Sequence, residues 1–478
     1  MRTRLILTGT AVFLTALVAL VIGRHVTGAY MDEIFHVPQA MRYCEGNFSY
    51  YDTKLTTPPG LWVNGCVLFP PLTLLLSFSY LVSLVLMLPT SIATLIAGEF
   101  NPCSITLLRS TNLIFYAASI PLIAALLARP AGQSSTRNTL EAIVISLFPV
   151  SYFFSFLYYT DAGSTFFSLL ALLLSSNDRH VASAATSLIA MSFRQTNVIW
   201  MLYSAATTII RTLANKENPV TRGSLNTELT IRNLGSLVFL SIIHVGHLIT
   251  VLWPYLLSLT FFGGFIVWNG GIVLGDKSNH VAQPHVVQML YFVGFSTFFL
   301  IPTSKIQDRV KTFLTLLQNS LFSPVTALAI PLSMCAIAAI ISRFTIEHPF
   351  LLADNRHYTF YIWKYMFRSS PYIRYALTPA YMFCLWFCWK HVASATSGMH
   401  AAILFACIAL VLIPSPLLEF RYFIIPFMLL RLYARPSWKG LVAEFLLYVG
   451  VNAFTIWMFV MRPFEWTQEP GVLQRFMY

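Results

Sequence analysis

Long apolar runs separated by short polar breaks recur from one end of the chain to the other, and no water-soluble fold can bury all of them. The first, Leu5 to Gly23, follows a basic Met-Arg-Thr-Arg start and approaches the ~20 residues that cross a bilayer as a helix. Further runs lie near 61–97, 105–128, 139–158, 162–176, 182–210, 234–273, 286–303, 322–342, 373–389, 401–417, 420–434 and 441–461. Charged residues make up only 10% of the 478 positions, against roughly 25% in ordinary soluble domains. Too few polar side chains exist to coat water-facing globules. The sequence therefore predicts an all-α polytopic membrane protein, residues 1–478 forming a single transmembrane domain.

Lysine and arginine outnumber aspartate and glutamate by 30 to 18, a net charge of +12. In a membrane protein such an excess reports cytosolic loops first. The basic residues are scattered, without the run or aromatic-interleaved patch that grips a phosphate backbone, so nucleic acid is excluded as a partner. Cys335, Cys384, Cys388 and Cys407 sit inside apolar stretches as small packing residues, and no CxxC or zinc spacing occurs. The basic start places the N-terminus in the cytosol and residue 24 onward across the membrane; a cleaved signal peptide ending near Val26 or Gly28 is the competing reading, although the run is long for one. Basic clusters at Arg129 with Arg137, Asp178 to His180, Arg211 to Arg232, Lys305 to Lys311 and Arg431 to Lys439 mark further cytosolic loops. By parity, 24–60, Tyr159 to Asp161, Arg194 to Asn197, Gly275 to Lys277 and His348 to Lys364 fall on the opposite side. This requires 61–97 to cross twice or lie flat as juxtamembrane helices, and 234–273 to cross once with its excess as a surface helix.

The segments so collected carry the chemistry. The first outer loop, 24–104, opens with Tyr30-Met31-Asp32-Glu33-Ile34-Phe35-His36, followed by Gln39, Arg42, Tyr43 and Thr56-Thr57-Pro58-Pro59-Gly60. Two adjacent acids with a histidine one helical turn later form a carboxylate–imidazole face if the stretch is helical. A carboxylate half-buried there can be poised as a general base, or the pair can simply complement a helix dipole. A second loop, 343–372, holds His348, Asp354, Asn355, Arg356, His357 and Tyr358 among aromatics. Arginine and histidine suit phosphate oxygens and aromatic faces suit a sugar or isoprenoid; an interfacial aromatic belt with snorkelling cations is the plainer alternative. No repeated ligand spacing supports a metal site. Arg194, Gln195 and Asn197, in apolar surroundings, either line a polar cavity or knit helices together. Glu419 and Arg421, two residues apart, would not share a helical face. Asn47-Phe48-Ser49 is a glycosylation sequon close to the membrane.

Tyr30-Met-Asp-Glu-Ile-Phe-His, Arg42-Tyr-Cys-Glu-Gly, Thr56-Thr-Pro-Pro-Gly-Leu, Phe156-Leu-Tyr-Tyr-Thr-Asp-Ala-Gly-Ser, Phe193-Arg-Gln-Thr-Asn, Asn269-Gly-Gly-Ile-Val-Leu-Gly-Asp, Leu351-Leu-Ala-Asp-Asn-Arg-His-Tyr and Leu418-Glu-Phe-Arg-Tyr-Phe run in order along the chain. Together they resemble the dolichyl-phosphate-glucose-dependent α-1,2-glucosyltransferases of the endoplasmic reticulum, with a similar Gln-Arg-Phe-Met-aromatic end from Gln474. Asp161 stands where some members have glutamate. The resemblance implies a GT-C-type fold with about 11–14 transmembrane helices, lumenal juxtamembrane helices and a lumenal active site. It also implies an inverting transfer of glucose from dolichyl phosphate β-glucose to the terminal 2-hydroxyl of Glc2Man9GlcNAc2-PP-dolichol by a monomer in the endoplasmic reticulum membrane. On that basis Asp32 is the expected base, and Glu33, His36, Gln39, Tyr43, Thr57, Tyr159 and Asp161 support it or meet the acceptor. Arg194, Gln195, Asn269, Asp276, His348, Asp354, Arg356, His357 and Tyr358 are expected around the donor. Phosphate departs without protonation, so no paired acid is required, and neither a metal nor a nucleotide cofactor is expected. The rival class is a transporter, which would spread ionisable residues at mid-span and repeat its hydropathy between halves; neither pattern is present.

Overall fold

The computed structural model describes residues 2–44, 47, 49–58, 104–128, 134–214, 229–275, 277, 282–320, 322 and 324–478. The run 61–97 and Asp276 lie outside them. The chain is helical, and the only strands among the described residues are β1 (Phe464–Trp466) and β2 (Glu469–Gln474), an antiparallel pair. It divides into two units, 1–204 with 252–281 and 205–251 with 282–478. Among the described residues, five helices are long and apolar enough to cross a membrane: Arg2–His25, Ile105–Leu127, Val245–Asn269, Ala327–Phe344 and Trp438–Met461.

The helices that build the first unit are α1 (Arg2–His25), α2 (Glu33–Cys44), α3 (Ile105–Leu127), α4 (Ser135–Ser146), α5 (Pro149–Phe154), α6 (Asp161–Ser176) and α7 (His180–Phe193), leading into α8 (Val198–Ala214). Two apolar runs that read as continuous are broken for local reasons. Pro149 opens a fresh helix within 139–158, its fixed φ and missing N–H suiting the first helical position. Arg194 adopts extended backbone within 182–210, ending α7. A three-residue turn with Asp178 in the left-handed region (φ 60°) makes α6 and α7 a hairpin. Gly163 lets it close, because a Cβ there would stand 2.2 Å from the Phe193 ring. Phe115, Phe166, Phe167 and Phe193 pack as a ring cluster behind it. The hairpin brings the start of α6 and the end of α7 to one end of the unit, as the parity argument expects. The run 234–273 resolves into α9 (Ile231–Ile243) and α10 (Val245–Asn269), of which α10 alone is long enough to span.

In the second unit follow α11 (Gln288–Leu300), α12 (Ile306–Ser320), α13 (Pro324–Phe344), α14 (Pro349–Ala353), α15 (Tyr358–Ile362), α16 (Pro371–Ala376), α17 (Thr378–Ala395), α18 (Gly398–Leu412), α19 (Ile424–Leu432) and α20 (Trp438–Met461). Val287, Leu290, Ile337, Ile341 and Tyr381 form one core cluster, and Phe295 stacks among Phe299, Phe420, Phe423 and Phe427. Two sequence expectations are corrected here. Arg431 is not a loop charge: it is fully buried in the last turn of α19 and forms a two-pronged ion pair with Glu444 of α20, Nε to Oε1 at 2.6 Å and Nη2 to Oε2 at 2.8 Å. Glu419 and Arg421 do pair locally. The reasoning against them assumed an α-helix, whereas Glu419 is extended and precedes a 3₁₀ turn over Phe420–Phe423.

Removing one partner of a buried pair leaves the other charge uncompensated. Glu444→Gln is therefore expected to lower stability by about 3–5 kcal/mol, and Arg431→Met with Glu444→Leu to recover most of that loss. Thermal unfolding in detergent measures both.

Candidate functional site

The Tyr30-Met31-Asp32 turn is tight, with Met31 in the left-handed region at φ 56°, an uncommon state for a side chain of its size. The Glu33 and Ile34 amides donate to the Tyr30 and Met31 carbonyls, and the Asp32 carbonyl accepts from the His36 amide to begin α2. What holds this turn is Glu33, which is completely buried. Its carboxylate accepts from Arg109 Nε (2.8 Å) and Nη2 (2.6 Å), from the Tyr30 amide (3.0 Å) and from the Tyr158 amide (2.6 Å). Arg109 also donates to the Val26 and Gly28 carbonyls. Glu33 thus faces inward as a structural clamp. Asp32, its half-buried neighbour, has its amide donating to the buried Tyr159 hydroxyl at 3.0 Å. Asn112 fixes that tyrosine's segment by donating to the Leu157 and Tyr159 carbonyls, and the His36 ring lies 6.3 Å from the Tyr159 ring. Arg109 escaped the sequence reading. Its mark was visible as a cation inside the 105–128 run, and a charge at such depth is costly unless paired.

Gln39, Gln195, Leu274 and Gly275 converge on the segment 50–58. Gln39 is buried and grips it from both ends of its amide, donating to the Tyr50 carbonyl (2.8 Å) and accepting from the Asp52 amide (2.8 Å). Tyr43 bonds to Gln39, and burial raises its phenol above the ordinary value. The Thr56 carbonyl accepts from Gln195 Nε2 (2.7 Å) and the Leu274 amide (3.3 Å), with Thr57 half-buried next in the chain. Asn269 caps its own turn, donating to the Gly271 and Val273 carbonyls. Gly275, at φ 60°, comes so close that a Cβ would stand 2.3 Å from the Thr53 carbonyl and 2.4 Å from that of Leu55. Arg194 pairs with buried Asp161 at 2.9 Å, and Asn197 donates to Ser164 and the Ala190 carbonyl. These polar residues therefore knit helix ends to loops.

In the second unit, His348 caps α14, accepting from the Phe350 amide at Nδ1. Asp354 takes a two-pronged bond from Arg356, Nε at 2.8 Å and Nη2 at 2.7 Å, while Arg356 Nη1 reaches Gln474 Oε1 at 2.9 Å and the guanidinium lies 4.6 Å above the Trp466 ring. Burial pushes the Asp354 carboxyl up, but Arg356 and His357 together pull it below its ordinary value, so it stays ionised. His357 Nδ1 meets the main-chain oxygen of Tyr478 at 2.8 Å. That oxygen only accepts, so the proton resides on Nδ1 and Nε2 faces Asp354 at 3.7 Å. Tyr358 Nα–H donates to the Met477 carbonyl, and burial raises its phenol to about 12. Sequence reasoning placed no role on Trp466, and on Gln474 only a terminal motif. Just before α11, His285 is buried in a segment zipped onto 413–417 by the Gln283 and His285 amides and the Gln288 side chain. Burial holds its imidazole down at about 4, opposed by the backbone at Ser415 and Pro416 and helped slightly by His348. Among the described residues no group of three or more His, Cys, Asp or Glu could hold a metal ion.

A multi-span helical membrane protein whose ionisable groups gather in loops at helix ends, anchored by buried ion pairs, is the class these observations define. The chain belongs to the DIE2/ALG10 family, whose sequence model matches residues 26–432. It is 36% identical to a protein of Rattus norvegicus named Dol-P-Glc:Glc(2)Man(9)GlcNAc(2)-PP-Dol alpha-1,2-glucosyltransferase, over 94% of this chain and 93% of that one. Proteins of the same name from Arabidopsis thaliana, over 96% of this chain and 97% of that one, and Drosophila melanogaster, over 91% of each, are both 32% identical. No solved structure matches the chain.

Gly275→Ala combines a strained φ with a carbonyl clash, and is expected to displace the 50–58 segment and lower stability by about 1–3 kcal/mol. Protease cutting within 50–58 in detergent should speed up accordingly. For His285, the unfolded chain binds the proton at about 6.5 and the folded chain only near 4. Its contribution to stability is therefore complete above pH 6.5 and declines toward pH 4 by about 1.4 kcal/mol per unit. Thermal midpoints against pH should fall less steeply in His285→Phe over that window.

Proposed function

We propose that this chain transfers glucose from dolichyl phosphate β-glucose to the 2-hydroxyl of the terminal glucose on Glc2Man9GlcNAc2-PP-dolichol, with inversion to an α-1,2 bond. The observation that carries this reading is the match of nearly the whole chain to proteins of that name from mammals, a plant and an insect. The reaction takes place on the lumenal face of the endoplasmic reticulum membrane, the protein acting as a monomer without metal or nucleotide cofactor. A transporter has nothing in its favour.

Asp32 is the base. Its carboxylate takes the proton of the acceptor hydroxyl as that oxygen attacks the anomeric carbon from the face opposite the phosphate, and the glycosyl–phosphate bond breaks with its electron pair leaving on the phosphate. Glu33, Arg109 and Tyr159 serve as positioning residues that keep the Asp32 turn in place, and His36 lies one helical turn along for contact with the acceptor. Gln39, Tyr43, Thr57 and Asp161 shape the loop wall. In the second unit, Arg356, His357 and His348 bind the donor phosphate, with Asp354 and Tyr358 framing them. Holding two lipid-anchored reactants in register at the membrane surface contributes through proximity.

The test is conversion of the two-glucose to the three-glucose lipid by purified protein in reconstituted membranes. Asp32→Asn is expected to lower the rate by about 10³-fold while leaving the thermal midpoint near wild type. Wild-type-like turnover by this variant overturns the base assignment, and absence of the three-glucose product with the unaltered chain overturns the activity.

A further inference from the structure

The C-terminal segment lies beyond the residues matched by the family model, which end at 432, yet it holds each residue from Asn355 to Tyr358. Trp466 Nε1 donates to Asn355 Oδ1 at 2.7 Å. Arg356 meets Gln474 and the Trp466 ring, and its carbonyl accepts from the Met477 amide at 2.9 Å. His357 meets the main-chain oxygen of Tyr478, and the Tyr358 amide donates to the Met477 carbonyl at 3.1 Å. The segment is itself fixed to the end of α20. Arg475 Nη1 donates to the Phe459 and Val460 carbonyls at 2.7 and 3.0 Å, and the Tyr478 hydroxyl shares a hydrogen bond with Thr455.

A guanidinium binds phosphate oxygens through a planar fork, so its plane and its rotation both matter. Asp354 takes the Nε/Nη2 edge of Arg356. That leaves the plane to be set by the Trp466 face and the rotation about the fork by Gln474. We propose that Trp466 and Gln474 are positioning residues for donor binding, aiming the Arg356 guanidinium, while the main-chain oxygen of Tyr478 keeps the His357 proton on Nδ1. The proposal rests on the donor-phosphate reading of the 354–358 loop. It makes the last fifteen or so residues part of the substrate apparatus.

The experiment titrates dolichyl phosphate glucose against the full chain in reconstituted membranes at saturating acceptor. Gln474→Met, which keeps the length and removes the acceptor oxygen, and Trp466→Leu are each expected to raise the donor KM about tenfold. Both should leave kcat and the acceptor KM within about twofold, and Trp466→Phe, which retains an aromatic face, should recover most of the donor KM. An unchanged donor KM in both variants, or kcat and both KM values deteriorating together as the thermal midpoint falls, overturns the proposal. Arg356→Ala is run alongside. If it leaves the donor KM unchanged, the donor-phosphate reading itself fails; if it raises the donor KM and the tail variants do not, only the role of the tail fails. Should Gln474→Met not fold, Trp466→Phe against Trp466→Leu decides alone, equal donor KM values in the two overturning the assignment.

Discussion

A carboxylate and a guanidinium removed from water together hold each other only if their remaining hydrogen-bonding positions are also filled. Glu33 and Arg109 meet that condition: two backbone amides complete the carboxylate, and two carbonyls from the exit of α1 complete the guanidinium. Three stretches of chain far apart in sequence, 26–33, Arg109 and Tyr158, are tied to one ion pair. Because the partners come from both sides of the Tyr30-Met31-Asp32 turn, the clamp fixes the course of the backbone through it and keeps Met31 in a left-handed state it would otherwise leave. Asp32 precedes Glu33 by one peptide bond, and Tyr159, just before α6, accepts from its amide.

The same economy recurs elsewhere. The chain has 18 acids, and Glu33, Asp161, Asp354, Glu419 and Glu444 are each spent on an arginine. An unpaired charge near hydrocarbon is expensive, so neutral pairs are how a strongly apolar protein carries directional polar contacts at all. Arg194 illustrates the result: its Nη2 pairs with Asp161, its Nε donates to the Thr160 hydroxyl, and its neighbours Gln195 and Asn197 secure a loop and a helix hairpin.

Much of this was legible because membrane chemistry makes every polar residue conspicuous. The apolar runs gave the helical class, and the parity of basic loops put Asp161 and Arg194 at the same end, where they meet. The apolar run 234–273 divides at His244 into α9 and α10. What stayed hidden depends on pairing across distance. Glu33 could be read as a functional acid or a dipole partner, but nothing local pointed to Arg109, which lies 76 residues away. Arg431 read as a loop cation because a buried counter-charge 13 residues downstream cannot be inferred from hydropathy. The tail offered the sequence only its Gln474 motif, because the contacts that order it lie in the 354–358 loop and the end of α20.

The Arg431–Glu444 bridge also bears on how the protein is made. Neither α19 with its arginine nor the start of α20 with its glutamate is welcome alone in acyl chains, yet joined they form a neutral, dry unit. Only thirteen residues separate Arg431 from Glu444, so the compensating charge is never far along the chain and the two helices are neutral as a pair where each alone would carry a charge.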